Sequence, residues 1–328
     1  MGSPGPGEAR VRIAASGVCH SDLHAVDDPS AERLPLLLGH EGAGVIEEVG
    51  EGVGEARIGE RVVIGWRAPC GECAPCLRGE PRRCERPVRA RRRIRRGDGE
   101  PVNQILLCGT FATRTVVSAA QAVRIPDALP LEQASLLACC VVTGVGSVLN
   151  TAAVWPGASV GVIGCGGVGI SVVQGARLAG AGRILAVDLD EGKRERARSF
   201  GATDTAAALE GELDFVFDVV GQPETLRAAA EALAYRGTVV LVGIPPHGAK
   251  AELELRRLFD LGARILVSHG GDYLPAIDIP LLAEHALRGE LDLAGMVTRE
   301  IGLDDVIQAL EELPGSEGIR SVVRLDGA

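Results

Sequence analysis

The stretch Val160-Gly-Val-Ile-Gly-Cys-Gly-Gly-Val-Gly169 decides the fold of this chain. It joins an apolar run, Ser159–Ile163, to a helical pattern over Gly167–Ala179, and its glycines have the spacing GxGxxG. The first glycine of that spacing permits a tight turn, the second lets backbone approach a pyrophosphate, and the third allows close packing of helix on strand. The alternative is an ordinary turn, because glycine is abundant here. The predicted dinucleotide-binding turn comprises Gly164, Gly166, Gly167, Val168 and Gly169.

An acidic residue follows this turn at the distance that a dinucleotide site requires. Asp188 ends the next apolar run, Arg183–Val187, about 20 residues past the motif. Its carboxylate would accept hydrogen bonds from the adenosine ribose and would repel a 2′-phosphate. The spacing therefore predicts NAD rather than NADP. Lys193 is a candidate to assist at the ribose, and the alternative is that it is a solvated helix residue.

Strand and helix patterns alternate through the middle of the chain, which predicts βαβ units and a parallel sheet. A helical pattern over Glu191–Phe200 is followed by the apolar runs Phe215–Val219 and Thr238–Val242. The first third instead has short apolar runs broken by glycine and proline, and the end of the chain returns to that character. We predict an α/β protein with a Rossmann doubly wound parallel sheet over residues 141–269. Residues 1–140 and 270–328 are predicted to form a second, β-rich domain.

Charge and composition narrow the classes of function. The chain has 328 residues, enough for two domains, and a formal net charge of -10, which disfavours nucleic acid and anionic membrane as partners. It has no apolar run of about 18 residues that would predict a membrane span, and no signal-like apolar core within Met1–Arg12. We therefore expect a cytoplasmic protein that binds neither nucleic acid nor membrane.

Four of the nine cysteines lie in one short, glycine- and proline-containing segment with the spacing C-x2-C-x2-C-x7-C. Four thiolates this close predict a closed tetrahedral zinc site with a structural role. One alternative is a cluster of free thiols. Another is a zinc ribbon that binds nucleic acid, because Arg89–Arg96 follows with six arginines, although such an arginine run is more often a solvated loop. The four predicted ligands are Cys70, Cys73, Cys76 and Cys84.

Five motifs in a fixed order identify a family. They are GVCHSDLH at 17–24, GHEGAG at 39–44, CGECAPC at 70–76, CCVVTG at 139–144 and GCGGVG at 164–169. The chain resembles the zinc-containing medium-chain dehydrogenase/reductase family, in its alcohol dehydrogenase branch, over most of its length. The resemblance implies that the β-rich part is a GroES-like catalytic domain.

The resemblance also implies a second zinc site, built from distant residues, with a fourth position open to water or substrate. It assigns Cys19, His40 and Cys139 to the catalytic zinc, Asp22 and Glu41 to carboxylates beside it, Ser21 and His24 to a proton relay, and His20 and Thr143 to the pyrophosphate and nicotinamide of NAD. The alternatives for His20 and His24 are exposed polar residues. Relatives carry further residues before the stretch matching Pro6–Arg12, so we expect an exposed edge in the first domain.

The function implied by the resemblance is reversible oxidation of an alcohol to an aldehyde or ketone, with two zinc ions per chain and NAD, in a homo-oligomer (dimer or tetramer). Two rivals lie in the same family: a thiol-adduct formaldehyde dehydrogenase, and a nicotinoprotein that keeps NAD tightly bound. The long basic loop after Cys84 and the segment Glu317-Gly-Ile-Arg-Ser321 favour the nicotinoprotein. A rival of another class is a truncated, non-catalytic zinc- and nucleotide-binding protein.

Overall fold

The computed structural model describes residues 2–27, 34–88, 90, 94–315 and 318–325. The chain divides into two compact units, residues 1–139 with 274–328, and residues 140–273. The sequence singles out an arginine-rich loop, Arg89–Arg96, and a segment that begins at Glu317. Arg89, Arg91–Arg93 and Glu317 lie outside the described residues.

The first unit is built mainly from strands. Its strands are β1 (Glu8–Gly17), β2 (Leu36–Leu37), β3 (Glu41–Val49), β4 (Arg61–Ile64), β5 (Asn103–Gln104), β6 (Arg114–Ser118), β7 (Ala122–Arg124), β14 (Val297–Ile301) and β15 (Arg320–Arg324). Its helices are α1 (His20–Asp27), α2 (Ala74–Leu77), α3 (Leu131–Ala134), α9 (Pro275–Leu287) and α10 (Val306–Glu312). Within the described residues the main sheet has the order β14-β15-β1-β3-β4-β7, with β6 also paired to β1.

Strand β1 organises this sheet because alternate side chains point to opposite faces. Val11 and Ile13 are fully buried in the core of the unit, while Arg10 and Arg12, which alternate with them, lie on the half-buried face. The strand pairs with β3 along one side and with β6 and β15 along the other. β1 is therefore an interior strand of the sheet.

The second unit is a parallel sheet with helices. Its strands are β8 (Ser159–Ile163), β9 (Arg183–Val187), β10 (Asp204–Ala206), β11 (Leu213–Asp218), β12 (Leu233–Leu241) and β13 (Arg264–Val267). Its helices are α4 (Cys140–Gly146), a π-helical turn (Ser147–Ala152), α5 (Gly167–Leu178), α6 (Glu191–Ser199), α7 (Pro223–Glu231) and α8 (Leu255–Leu261). The described strands have the order β10-β9-β8-β11-β12-β13, and every pair is parallel. This is the doubly wound order 3-2-1-4-5-6 of a dinucleotide-binding sheet.

The α/β class and the Rossmann sheet predicted from the sequence are confirmed. β8 and β9 have the predicted bounds, whereas β12 begins five residues before the predicted Thr238. The early part of β12 contains the exposed Tyr235, and Arg236 has a positive φ of 61°. An irregular, solvent-facing start of this kind lacks the apolar run by which a buried parallel strand is recognised.

No single described helix has both the length and the apolar composition of a membrane span, and Leu131–Ala138 and Cys140–Ala152 meet those criteria only as a bent pair. Every residue of α4, which belongs to that pair, is buried.

Candidate functional site

The first candidate metal site lies where β1 ends and β3 begins. Cys19 follows β1, and His40 immediately precedes β3. The antiparallel register of these strands pairs Gly17 with Glu41, which brings the two segments together. A Cβ at Gly17 would collide with Oε2 of Glu41, so a larger residue there would force this buried carboxylate to move.

Cys139 reaches the same place from a distant part of the first unit. It ends the 3-10 turn Ser135–Ala138, which packs against β1 and β3. The ligand atoms of the resulting group all lie within 4.8 Å of one another. The group comprises Cys19, His40, Glu41 and Cys139.

The imidazole of His40 is oriented by a carboxylate. Nδ1 of His40 lies 3.2 Å from Oδ1 of Asp22, and that oxygen also accepts a 2.8 Å hydrogen bond from the Gly39 N–H. Oδ2 of Asp22 accepts a hydrogen bond from the Cys19 N–H. The side chains of Asp22 and His40 are both fully buried. With Nδ1 donating to Asp22, Nε2 of His40 presents its lone pair. No hydrogen-bond partner for this buried nitrogen lies among the described residues. A buried, orphaned acceptor beside two thiols fits a metal ion.

The charges of this group suit a cation as well. A hydrogen bond with Cys139 lowers the pKa of Cys19 well below its usual range, and this outweighs the opposing effect of burial. Burial works to lower the pKa of His40, but the charge and hydrogen bond of Asp22 raise it well above its usual value. The cluster therefore favours a thiolate at Cys19 with positive charge beside it, which the proton of His40 provides when no metal is bound. A divalent ion would supply the same charge, and it would displace that proton so that the Nε2 lone pair is free to bind it.

Glu41 has a partner that the sequence reasoning missed. Its carboxylate is fully buried, and burial raises its pKa to about 7, although Arg320 opposes this shift. Nη2 of Arg320 lies 3.1 Å from Oε1 of Glu41, and Nη1 donates to the carbonyl of Val18 at 2.9 Å. The sequence signal that could have revealed this partner is Arg320 itself, an arginine directly before the apolar run Ser321–Leu325. A buried charge of this kind needs an opposite charge nearby.

The four-cysteine segment forms a second compact group. Backbone N–H groups point at its sulfurs: those of Cys70 and Cys73 lie 3.3 Å from Sγ of Cys84 and Cys70, respectively. Sγ of Cys84 lies 3.7 Å from that of Cys70 and 3.9 Å from that of Cys73. Four sulfurs bound tetrahedrally to zinc at about 2.3 Å would be about 3.8 Å apart. Backbone hydrogen bonds also lower the pKa of Cys73 to about 6. The group fits a zinc ion with no position left for substrate.

In the second unit, the glycine-rich turn joins β8 to α5. Gly164 has a φ of 96°, and a Cβ at Gly169 would collide with the carbonyl oxygen of Gly164. A Cβ at Gly166, by contrast, would meet no atom within 4 Å. Asp188 closes the turn: Oδ2 accepts from the Cys165 N–H at 2.8 Å. The turn is therefore tight at its ends and open at Gly166, as an approaching pyrophosphate requires.

The remaining sequence-predicted residues lie near these groups in their own units. In the first unit, His20 and His24 are exposed and Ser21 is half-buried, all on α1. In the second, Thr143 lies in α4 with 9% of its surface exposed, and the Lys193 N–H in the first turn of α6 donates to Asp190. The structure thus assembles both cysteine-containing groups, and the roles of His20, Ser21, His24, Thr143 and Lys193 stay predictions.

Known proteins resemble the chain over nearly its whole length. The model of the alcohol dehydrogenase GroES-like domain matches residues 5–127, and that of the zinc-binding dehydrogenase family matches residues 167–284. An S-(hydroxymethyl)glutathione dehydrogenase of Escherichia coli O1:K1 is 35% identical over 349 residues, covering 98% of this chain and 93% of the relative.

Two solved structures show the same likeness, and each comparison covers 99% of this chain and 93% of the other. An alcohol dehydrogenase zinc-binding domain protein from Burkholderia ambifaria has a TM-score of 0.92 and 32% identity. A benzyl alcohol dehydrogenase from Acinetobacter calcoaceticus has a TM-score of 0.90 and 28% identity. The resemblance inferred from the five motifs is confirmed: the chain belongs to the zinc-containing medium-chain dehydrogenase/reductase family, in its alcohol dehydrogenase branch.

Proposed function

We propose that the chain oxidises a small alcohol to an aldehyde or ketone with NAD, using one catalytic and one structural zinc ion. The observation that carries this proposal is the buried, unpartnered Nε2 of His40 beside the thiols of Cys19 and Cys139. In this proposal Cys19, His40 and Cys139 are the ligands of the catalytic zinc, and Glu41 lies beside it. The structural zinc is bound by Cys70, Cys73, Cys76 and Cys84.

The two units have separate tasks in this proposal. The unit of residues 1–139 and 274–328 is the catalytic domain, and the unit of residues 140–273 binds NAD through its glycine-rich turn. Asp188 accepts hydrogen bonds from the adenosine ribose, with Lys193 assisting. His20 meets the pyrophosphate, and Thr143 lies beside the nicotinamide. Support comes from the parallel strand order and from the open space at Gly166.

The protein's own residues prepare and move the proton. Zinc supplies Lewis-acid polarisation of a hydroxyl oxygen, and NAD supplies the hydride acceptor. Asp22 holds the His40 ring so that its Nε2 faces the site. The Ser21 hydroxyl would accept the proton of the alcohol and at the same time release its own proton toward His24. His24, one helical turn along α1 and exposed, passes that proton to water.

Cys139 provides the test, because its neighbour Cys140 is a matched control. Cys139→Ser should abolish alcohol oxidation, followed as NADH absorbance over a panel of alcohols, and should lower the zinc content from two ions per chain to one. Cys140→Ser should keep both ions and most of the activity. If wild-type protein washed with a weak chelator contains one zinc ion or fewer, or oxidises no alcohol, the proposal is wrong. Equal effects of the two substitutions would remove Cys139 from the ligand set.

A second candidate follows from the names of the curated relatives, which are S-(hydroxymethyl)glutathione dehydrogenases. The same site would then oxidise the hydroxymethyl group of an adduct between formaldehyde and a thiol. NADH formation from formaldehyde that requires added glutathione would favour this candidate, and equal rates without thiol would reject it. NAD that stays with the protein through gel filtration and is released only when the protein is denatured would instead identify a nicotinoprotein.

The edge of the parallel sheet supports a homo-oligomer. β13 is the last strand of the described order, and Ile265 and Val267 on it are 43% and 67% exposed. An exposed apolar edge strand pairs readily with another strand. We propose a homo-oligomer, dimer or tetramer, in which β13 meets a second copy of the chain. Val267→Lys should reduce the mass measured by light scattering, whereas the control Ile307→Lys, at an exposed position of α10, should leave it unchanged. A wild-type monomer would reject the proposal.

We also propose that the enzyme works in the cytoplasm. No disulfide joins the cysteines of the described residues, and two groups of these cysteines are placed to bind metal. Thiols persist in this form in a reducing compartment. Fractionation of the source cells, with the enzyme found outside the cytoplasm, would contradict this placement.

A further inference from the structure

The loop that follows β13 has an unusual backbone. Gly270, Gly271 and Asp272 have consecutive positive φ values of 62°, 77° and 47°. Glycine accepts such values easily, but an aspartate in this region must be held there by its surroundings. A Cβ at Gly271 would collide with the carbonyl oxygen of Val142 in α4. The loop is therefore pressed against α4 and cannot shift without losing this contact.

A chain of hydroxyl groups holds the loop in this form. Oγ of Ser268 lies 2.8 Å from Oγ of Ser147 and 3.0 Å from Oγ1 of Thr151. Ser147 donates to the carbonyl of Thr143 at 2.6 Å, and Thr151 donates to Oδ2 of Asp272 at 2.6 Å. Each hydroxyl has one proton, and the two ends of the chain only accept. Because Ser147 and Thr151 donate to these two ends, the single proton of Ser268 is left to bond to one or the other of them. Ser268 itself accepts the Gly271 N–H at 3.2 Å.

The π-helical turn supplies one side of this network. Ser147–Ala152 contributes Ser147 and Thr151, and the side-chain amide of Asn150 donates to the carbonyl of Gly271 at 3.2 Å. A π-helical turn is rare and is often found at functional sites, because it displaces side chains from their α-helical positions. The turn thus connects α4, which carries Thr143, to the strained loop after β13.

The position of the loop in the sheet relates it to the cofactor. Ligands of doubly wound sheets bind at the carboxyl ends of the strands. Asp188 follows β9 and the glycine-rich turn follows β8, so the adenosine ribose and the pyrophosphate lie over that side of the sheet. The other half of a dinucleotide then extends over β11, β12 and β13. The loop Ser268–Asp272 follows β13 at this edge.

We propose that the hydroxyl network of Ser147, Thr151 and Ser268, together with Asp272, positions the nicotinamide half of the cofactor. The inference rests on the proposed NAD site. The network acts through two groups: it fixes the loop after β13 in its left-handed form, and it fixes the α4 carbonyl of Thr143. These are positioning residues, and they move no proton of the reaction.

Two substitutions at Thr151 test the role of the network. Thr151→Val removes the hydroxyl while keeping the shape of the side chain, and Thr151→Ser keeps the hydroxyl. The zinc-loaded full-length enzyme is titrated with NAD and with ADP-ribose, which lacks nicotinamide. Loss of one buried hydrogen bond should weaken NAD binding about two- to tenfold. ADP-ribose binding should stay within about twofold, and Thr151→Ser should restore NAD binding.

The outcomes separate this inference from the proposed function. Wild-type protein that binds neither NAD nor ADP-ribose would contradict the NAD site itself. If Thr151→Val weakened the binding of NAD and of ADP-ribose equally, the network would be a general support of the unit. If it weakened the binding of neither ligand, the loop would not position the nicotinamide. If Thr151→Val fails to fold, Ser147→Ala removes the other hydroxyl that contacts Ser268, and the same comparison of NAD with ADP-ribose binding applies.

Discussion

Asp188 offers the sharpest test of cofactor choice, because one substitution can separate its support of the glycine-rich turn from its proposed recognition of the adenosine ribose. Oδ2 accepts from the Cys165 N–H at 2.8 Å, and Oδ1 accepts from the Asp190 N–H at 3.0 Å. A carboxylate has about four lone-pair sites, so it can also accept the ribose hydroxyls. In Asp188→Asn only the amide oxygen accepts. One backbone N–H then loses its acceptor, which should cost about 1 kcal/mol of folding free energy, because neither N–H is fully buried.

The same substitution should move cofactor preference by about a hundredfold. Hydrogen bonds to a charged acceptor contribute roughly 1 kcal/mol or more above neutral ones, so NAD should bind about tenfold more weakly. Repulsion between a carboxylate and a phosphate about 4 Å apart is about 1–4 kcal/mol per unit charge between effective dielectric constants of 80 and 20. Asp188 is half-buried, so we take the lower end, which is about a tenfold gain for NADP.

The assay is kcat/KM for NAD and NADP with one alcohol, together with thermal unfolding of each variant. Adding Leu189→Arg should increase the preference for NADP further, because Leu189 is 90% exposed and an arginine there displaces no packing. Wild-type enzyme that uses NADP better than NAD would refute the assignment of Asp188. An Asp188→Asn variant that loses both cofactors equally would show that the residue only supports the turn.

Three further predictions concern the metal sites, the glycine turn and the proton relay. Cys73→Ser should lower the melting temperature and release zinc, whereas Cys19→Ser should keep a folded, NAD-binding protein without activity; loss of activity alone in both would contradict the division into structural and catalytic zinc. Gly166→Ala should fold normally, because its Cβ enters open space, and should weaken NAD binding, because that space is left for the pyrophosphate. Gly169→Ala should unfold more easily, because its Cβ meets a backbone carbonyl. Calorimetry and NAD titration measure both variants, and equal melting temperatures would contradict this difference. His24→Gln should slow alcohol oxidation at low buffer concentration and be partly rescued by added imidazole; a rate that matches wild type at every buffer concentration would remove His24 from the relay.

Arg320 shows how much of the site the sequence leaves undetermined. It begins β15 near the end of the chain, and its partner Glu41 begins β3 near the start. No local pattern relates the two, because the pairing depends on β1 lying between their strands in the sheet. The hydroxyl network is similar: Ser147 and Ser268 meet only after the parallel sheet has formed and α4 has packed on α5. Such contacts depend on register and packing, which are set by the whole core.

Features with a short-range physical cause were determined by the sequence itself. The GxGxxG turn follows from the positive φ of Gly164 and from the close approach of backbone at Gly169, which both favour glycine. The four-cysteine site follows from the reach of a loop of 15 residues, Cys70–Cys84. The bounds of β8 and β9 follow from buried apolar runs. The three catalytic zinc ligands were joined by family resemblance, since their spacing in the chain carries no such signal. Only the tertiary structure brings Cys19, His40 and Cys139 within ligand distance, because the register of β1 on β3 and the packing of the turn at Ser135–Ala138 decide that meeting.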